Sequence, residues 1–288
     1  MTSPGSAARV AAASVPGCQH VLGGGVPCQD AVATRCAPDR VILSLSDGHG
    51  SPEYTHSDEG ARIAVAVAVQ VLDAAVDLLA SQPGRADAES LENEIGAPIR
   101  RRIAFEWNRR VKHHARMLAL RDQNAVLFPD GVTGGWDETV KPYGCTLLAA
   151  AFTSDVALWL RIGDGDALAV GHGGARRVFE AADKSMGQAT YSLNMRNATE
   201  HMRLRVELER CELALLTSDG VGDQYDAEPR FEEEWGTHML ERVRTKGWIE
   251  TVLELPRFLG HLARDGDDCS AAMAWFPLNT GGPQDPEP

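Results

Sequence analysis

The chain has 288 residues, 43% of them hydrophobic and 24% charged, an ordinary globular profile with enough apolar material for a substantial core. Its 28 Lys+Arg against 41 Asp+Glu leave a formal charge of −13. That weighs against nucleic acid or an anionic membrane as partner, since both demand a basic surface. It suits cations.

No run approaches the roughly 18 continuous apolar residues that a membrane span needs; the longest, 64–80, is interrupted by Gln70, Asp73 and Asp77. The N-terminus lacks the basic start and long apolar stretch of a signal peptide. Six scattered cysteines without a CxxC pair point to reduced thiols and a cytoplasmic setting. Cys18, His20, Cys28 and Cys36 are too irregularly spaced for a zinc site.

In chain order, residues 1–14 read as a flexible N-terminus and 278–288 as a flexible tail, both rich in small, Gly, Pro or polar residues. Strands are expected over 28–36 and 41–47. A helix opens at Ser57-Asp58-Glu59, where a capping side chain and acids suit the positive dipole end, and SQPG at 81–84 stops it. A second helix, about 91–122, carries Ile95, Ile99, Ile103, Trp107 and Val111 at helical spacing. Strands resume over 144–152. Residues 155–171 read as a hairpin turning at 163–166. Two more strands are expected within 202–220, a helical stretch over 238–264 and a last strand over 270–276. Strand blocks around separate helical blocks predict an α+β sandwich rather than βαβ alternation.

Aspartates fall at the ends of these strands. Asp47 closes VILSLSD, Asp219 closes ELALLTSD, Asp164 sits in IGDGD, Asp267 and Asp268 precede the last strand, and Asp30 opens the first. In an antiparallel sheet, strand ends lie beside neighbouring strand starts, so Asp47, Asp219 and Asp267/Asp268 can meet at one edge. Carboxylates gathered in this way repel unless a cation compensates. An all-oxygen set suits Mg²⁺ or Mn²⁺ rather than zinc, and two such ions support phosphate-ester hydrolysis. Each aspartate alone has a simpler reading as a strand end or turn; the joint pattern carries the inference.

The ordered motifs GCQH (17–20), PCQDA (27–31), SDGHG (46–50), GCT (144–146), IGDGD (162–166), LLTSDG (215–220) and GDDCS (266–270) resemble the metal-dependent protein phosphatases. The resemblance is to the type 2C serine/threonine class, in particular its bacterial members, over residues 15–276. It implies a single catalytic domain over 15–277, built as a four-layer α-β-β-α sandwich of two mainly antiparallel sheets, with a variable flap over about 171–201. It implies two Mn²⁺ or Mg²⁺ ions held by Asp30, Asp47, the Gly48 carbonyl, Asp219 and Asp267. Gln29 would act through a water, Asp268 would stand behind the ligands, and Asp164 would serve a third metal. Asp47 would bridge the ions, a metal-bridging water would attack phosphorus, and His49 would protonate the leaving oxygen as general acid. The substrate implied is a phosphoserine or phosphothreonine protein, with a partner kinase acting in opposition.

The chain departs from the pattern in places. Gln29 stands where Glu is common, Asp268 where Asn is common, and Asp166 where Arg is common. The arginine that binds substrate phosphate is missing from LGGGVP, and His20, backed by Arg35, is the expected substitute. Those departures leave two other readings: a catalytically weak phosphatase-fold binding or regulatory module, and a hydrolase of small phosphate esters.

Overall fold

The computed structural model describes residues 8–18, 27–80, 87–121, 135–180, 190–225 and 231–277. Its strands are β1 (Arg9–Val15), β2 (Ala31–Ala37), β3 (Arg40–Ser46), β4 (Leu147–Phe152), β5 (Ala157–Ile162), β6 (Asp166–Gly171), β7 (Gly174–Arg177), β8 (Arg203–Glu207), β9 (Leu213–Thr217) and β10 (Cys269–Trp275). The long helices are α1 (Ser57–Ala80), α2 (Ala88–Arg121), α3 (His238–Lys246) and α4 (Trp248–Leu262). The strands form two antiparallel five-stranded sheets, ordered β1-β10-β9-β6-β7 and β2-β3-β4-β5-β8.

Three apolar clusters define the layers. α1 and α2 bury Ala64, Leu72, Ile99, Ile103 and Trp107 against Ile42, Leu147, Leu158 and Leu160 of the second sheet. α3 and α4 bury Leu240, Val243, Leu255 and Leu259 against Leu168, Leu215 and Met273 of the first. Between the sheets, Val41, Leu43, Leu45, Leu148 and Trp159 from one side meet Ala167, Ala169, Ala214, Ala272 and Ala274 from the other. The order is therefore α-β-β-α, as expected. Period-two alternation explains it: odd residues of β3 face the other sheet and even residues face the helices.

The structure alters two readings and refines two more. Arg9–Val15, placed in the flexible N-terminus, form an edge strand paired with β10 over seven residues. Val10 faces the inter-sheet core and Ala11, Ala13 and Val15 face the α4 side; small residues suffice because the neighbours are close. Residues 155–171 are not a hairpin. β5 and β6 pair with different neighbours in different sheets, and the chain crosses between them at Gly163, whose φ of 112° suits only glycine. β8 and β9 are likewise split between sheets. The 238–264 stretch is two helices interrupted at Gly247, followed by a single 3₁₀ turn. The expected SQPG stop and the tail 278–288 lie outside the described residues. No described helix is long and apolar enough to cross a membrane.

Candidate active site

Both sheets present the same kind of edge at one end. In the second sheet, β2 and β3 pair as Ala31↔Ser46, so Asp30 and Asp47 face one another just past the ladder. Asp47 is fixed by β4: the Thr146 amide donates to its carbonyl at 2.8 Å, and its own amide donates to Thr146 Oγ1 at 3.1 Å. In the first sheet, Ser218 and Asp219 follow β9, and Asp267 and Asp268 precede β10, whose Ala271 pairs with Thr217. By strand parity Asp30, Asp47, Ser218, Asp268 and Ser270 continue the face that carries the inter-sheet core. The polar cluster caps that core.

The electrostatics reflect crowding. Burial pushes the Asp47 carboxyl well above the usual carboxylate range, and Asp30, Asp219 and Asp267 push it further. Asp30 is pushed up to about 7, first by burial and then by Asp268 and Asp219, with the Ser270 and Ser218 hydroxyls opposing. Those hydroxyls lie near enough to favour its charge, yet neither Asp30 carboxylate oxygen, both buried, has a hydrogen bond of proper geometry. Burial, neighbouring carboxylates and, for Asp30, the serine hydroxyls are the largest influences on the two acids.

The surrounding loops are held in place by the same residues. Asp268 is 3% exposed; its Oδ1 accepts from the Gly17 amide at 2.8 Å and its Oδ2 from the Gln29 amide at 2.6 Å. It thereby joins both segments leading to Asp30. The Gln29 side chain donates to Ser57 Oγ at 2.8 Å, at the start of α1. Gly48 is pressed so closely that a Cβ there would lie 2.7 Å from the Gln29 carbonyl oxygen, which leaves room for no other residue. The amide of His49 donates to the Gly144 carbonyl at 3.0 Å, and its ring packs against Tyr54 with centroids 4.8 Å apart. Burial lowers the His49 pKa, while Asp164 works the other way. Asp164 accepts from Thr190 Oγ1 at 2.7 Å, and the β6–β9 register carries it toward Asp219.

The structure thus brings together Asp30, Asp47, Asp219 and Asp267, with Gly48, Asp268 and Gln29 alongside and Asp164 beside His49. Arg35 is not among them. It lies opposite Ile42, four residues down β2 from the Asp30 end, and pairs with Asp73 of α1 at 3.1 Å. His20 lies outside the described residues, as does most of LGGGVP. Arg176 and Arg177 of the expected flap are occupied, by Glu207 and by Asp166 with Glu232. Tyr54 and the Ser14–Ser270–Ser218 chain went unread in the sequence. The two later serines do sit inside the TSDG and DDCS motifs, where their place beside the acids is the available signal.

The donors are all oxygen, which fits Mg²⁺ or Mn²⁺, and the Asp30 oxygens without hydrogen bonds fit ligation of a cation. Among the described residues no three His, Cys, Asp or Glu side chains stand close enough to form a metal-ligand set as they are. All six cysteines are free.

Residues 18–259 match the family model of protein phosphatase 2C. The chain belongs to that family. Its protein phosphatase 2C fold also superposes on solved bacterial phosphatases. The serine/threonine phosphatase Stp1 from Staphylococcus aureus gives a TM-score of 0.57 at 14% identity, covering 96% of this chain and 98% of that one. The Mycobacterium tuberculosis serine/threonine phosphatase PstP/Ppp gives 0.55 at 18%, covering 95% and 100%. A PstP catalytic domain in complex with two manganese ions gives 0.52 at 18%, covering 93% and 98%. No curated protein matches the sequence. As a protein phosphatase 2C, the chain is an enzyme of the protein phosphatase class.

Proposed function

We propose that this protein phosphatase 2C hydrolyses phosphoserine and phosphothreonine in proteins, with Mn²⁺ or Mg²⁺ held by Asp30, Asp47, the Gly48 carbonyl, Asp219 and Asp267. One observation carries the reading: carboxylates from two sheets lie in one another's field, where burial and mutual repulsion push Asp30 and Asp47 upward. The ions, when bound, supply an activated water and charge compensation for phosphoryl oxygens.

The protein's own groups do the rest. Asp268 fixes the Gly17 and Gln29 loops and so holds Asp30 against Asp47. Gln29, anchored on Ser57, closes the side toward α1. His49, steadied by Tyr54, donates a proton to the departing serine or threonine oxygen, and Asp164 supports its protonated form against the effect of burial. Asp164 also lies toward Asp219, where the two can share a third ion.

The purified protein should hydrolyse p-nitrophenyl phosphate and a phosphothreonine peptide only with added Mn²⁺ or Mg²⁺. Asp47→Asn and Asp219→Asn should each lower kcat by about 100-fold or more, the scale of losing a charge-stabilising group. A metal-supplemented protein inert on both substrates would sink the reading. His49→Ala should harm the peptide, with its poor leaving group, more than p-nitrophenyl phosphate; equal losses would remove His49 from the acid role.

A further inference from the structure

In a chain with an acidic excess of 13 charges, a concentration of uncompensated positive charge needs explaining, and one lies at the β5–β8 edge. Arg161 and Arg203 are direct cross-strand partners, and Arg205 lies opposite Trp159 on the same face. Leu204 and Val206 turn toward α2, so the arginines share the face that looks into the gap between the sheets. Arg161 is only 7% exposed. Its guanidinium lies 5.1 Å from the Phe179 ring centroid, and Nη2 donates to the Glu180 carbonyl at 2.9 Å. Among the described residues its Nη1 is buried with no hydrogen-bond partner.

The buried Arg161 guanidinium, held by Phe179 and the Glu180 carbonyl, fixes positive charge beneath the two arginines that follow. Arg203 and Arg205 are exposed, and among the described residues neither has a carboxylate partner. Glu207, the acid on this face of β8, is already occupied by both Arg176 nitrogens at 2.8 Å and by Trp159 Nε1 at 3.2 Å. Burial lowers the Arg161 pKa, Asp166 and Asp164 oppose, and Arg203 adds to the lowering. Asp164 acts on His49 as well, so the strip begins beside the candidate site and runs away from it.

We propose that Arg203 and Arg205, with the field of Arg161 beneath them, receive acidic side chains that flank the phosphorylated residue of an extended protein substrate. This rests on the phosphatase reading above. Arg203 and Arg205 are two residues apart on one strand face, about 6.6 Å, which is the spacing of alternate side chains in an extended peptide. Three arginines against an acidic surface suit a short acidic segment, whereas a nucleic acid backbone calls for a broad basic face.

The test uses the full chain without metal and a fluorescein-labelled phosphothreonine peptide bearing Asp or Glu at alternate flanking positions. Its control carries Asn or Gln there. Fluorescence anisotropy should show the acidic peptide binding at least fivefold more tightly, with the difference shrinking as salt rises from about 50 to 300 mM. The double variant Arg203→Gln/Arg205→Gln, exposed positions whose thermal melt checks the fold, should erase the preference. Equal affinity of the wild type for both peptides would overturn the proposal. So would a preference that survives in the double variant, or tighter binding of a single-stranded oligonucleotide than of the acidic peptide. Inactivity of the Mn²⁺-loaded wild type on p-nitrophenyl phosphate would instead overturn the phosphatase reading and leave the peptide preference standing.

Discussion

Asp30 shows most directly how crowded the negative charge of the site is. Its two buried oxygens have no hydrogen bond of proper geometry, and Asp268 and Asp219 repel it. A buried, uncompensated acid destabilises a fold, so neutralising it helps the metal-free protein. Asp30→Asn should therefore raise the metal-free melting midpoint by a few degrees at neutral pH while shrinking the gain from Mn²⁺; a lower midpoint would show that Asp30 is already compensated. The acids were legible in the sequence because each follows or precedes an apolar run, and strand ends are where antiparallel neighbours meet. Arg35 was not legible. Proximity along the chain to Asp30 suggested proximity in space, but five residues of strand carry it away to Asp73 of α1.

At the scale of elements, the α1–α2 layer hangs on Trp107, which is fully buried and donates its indole N–H to the Gly60 carbonyl at 3.0 Å. Gly60 belongs to the first turn of α1, next to the segment that carries His49 and anchors Gln29. Trp107→Ala should cost about 3–5 kcal/mol of stability, as for other large core truncations, read from chemical denaturation. A loss below about 1 kcal/mol would mean that the two helices pack without this tie. The helical spacing made α1 and α2 readable, with Ile95, Ile99, Ile103, Trp107 and Val111 on one face. Strand membership was harder. Alternation in 155–171 reports two strands and a turn, but nothing local says that the turn jumps from one sheet to the other. β1 escaped for a different reason: RVAAASV has little side-chain volume to announce burial, and its role depends on β10, more than 250 residues later.

At the scale of the whole molecule, two of the gathered acids stand on one sheet and two on the other. A cation bound among them bridges the layers and so favours the folded state as a unit. Mn²⁺ at about 100 times its dissociation constant adds about 2.7 kcal/mol, which for a chain of this size is about 4–5 °C in the melting midpoint. Calorimetric scans with and without Mn²⁺ measure it directly; an unchanged midpoint would favour a non-catalytic scaffold.

The layer beneath the acids sets their spacing. One sheet contributes Leu, Val and Trp to the gap, and the other contributes Ala167, Ala169, Ala214, Ala272 and Ala274. Methyl groups on that side let the sheets approach closely, so the separation of Asp30 and Asp47 from Asp219 and Asp267 is fixed by residues that touch none of them. A larger side chain at Ala214 would act as a shim, parting the two halves of the cluster from below. The geometry of the candidate site is set by its alanines as much as by its aspartates.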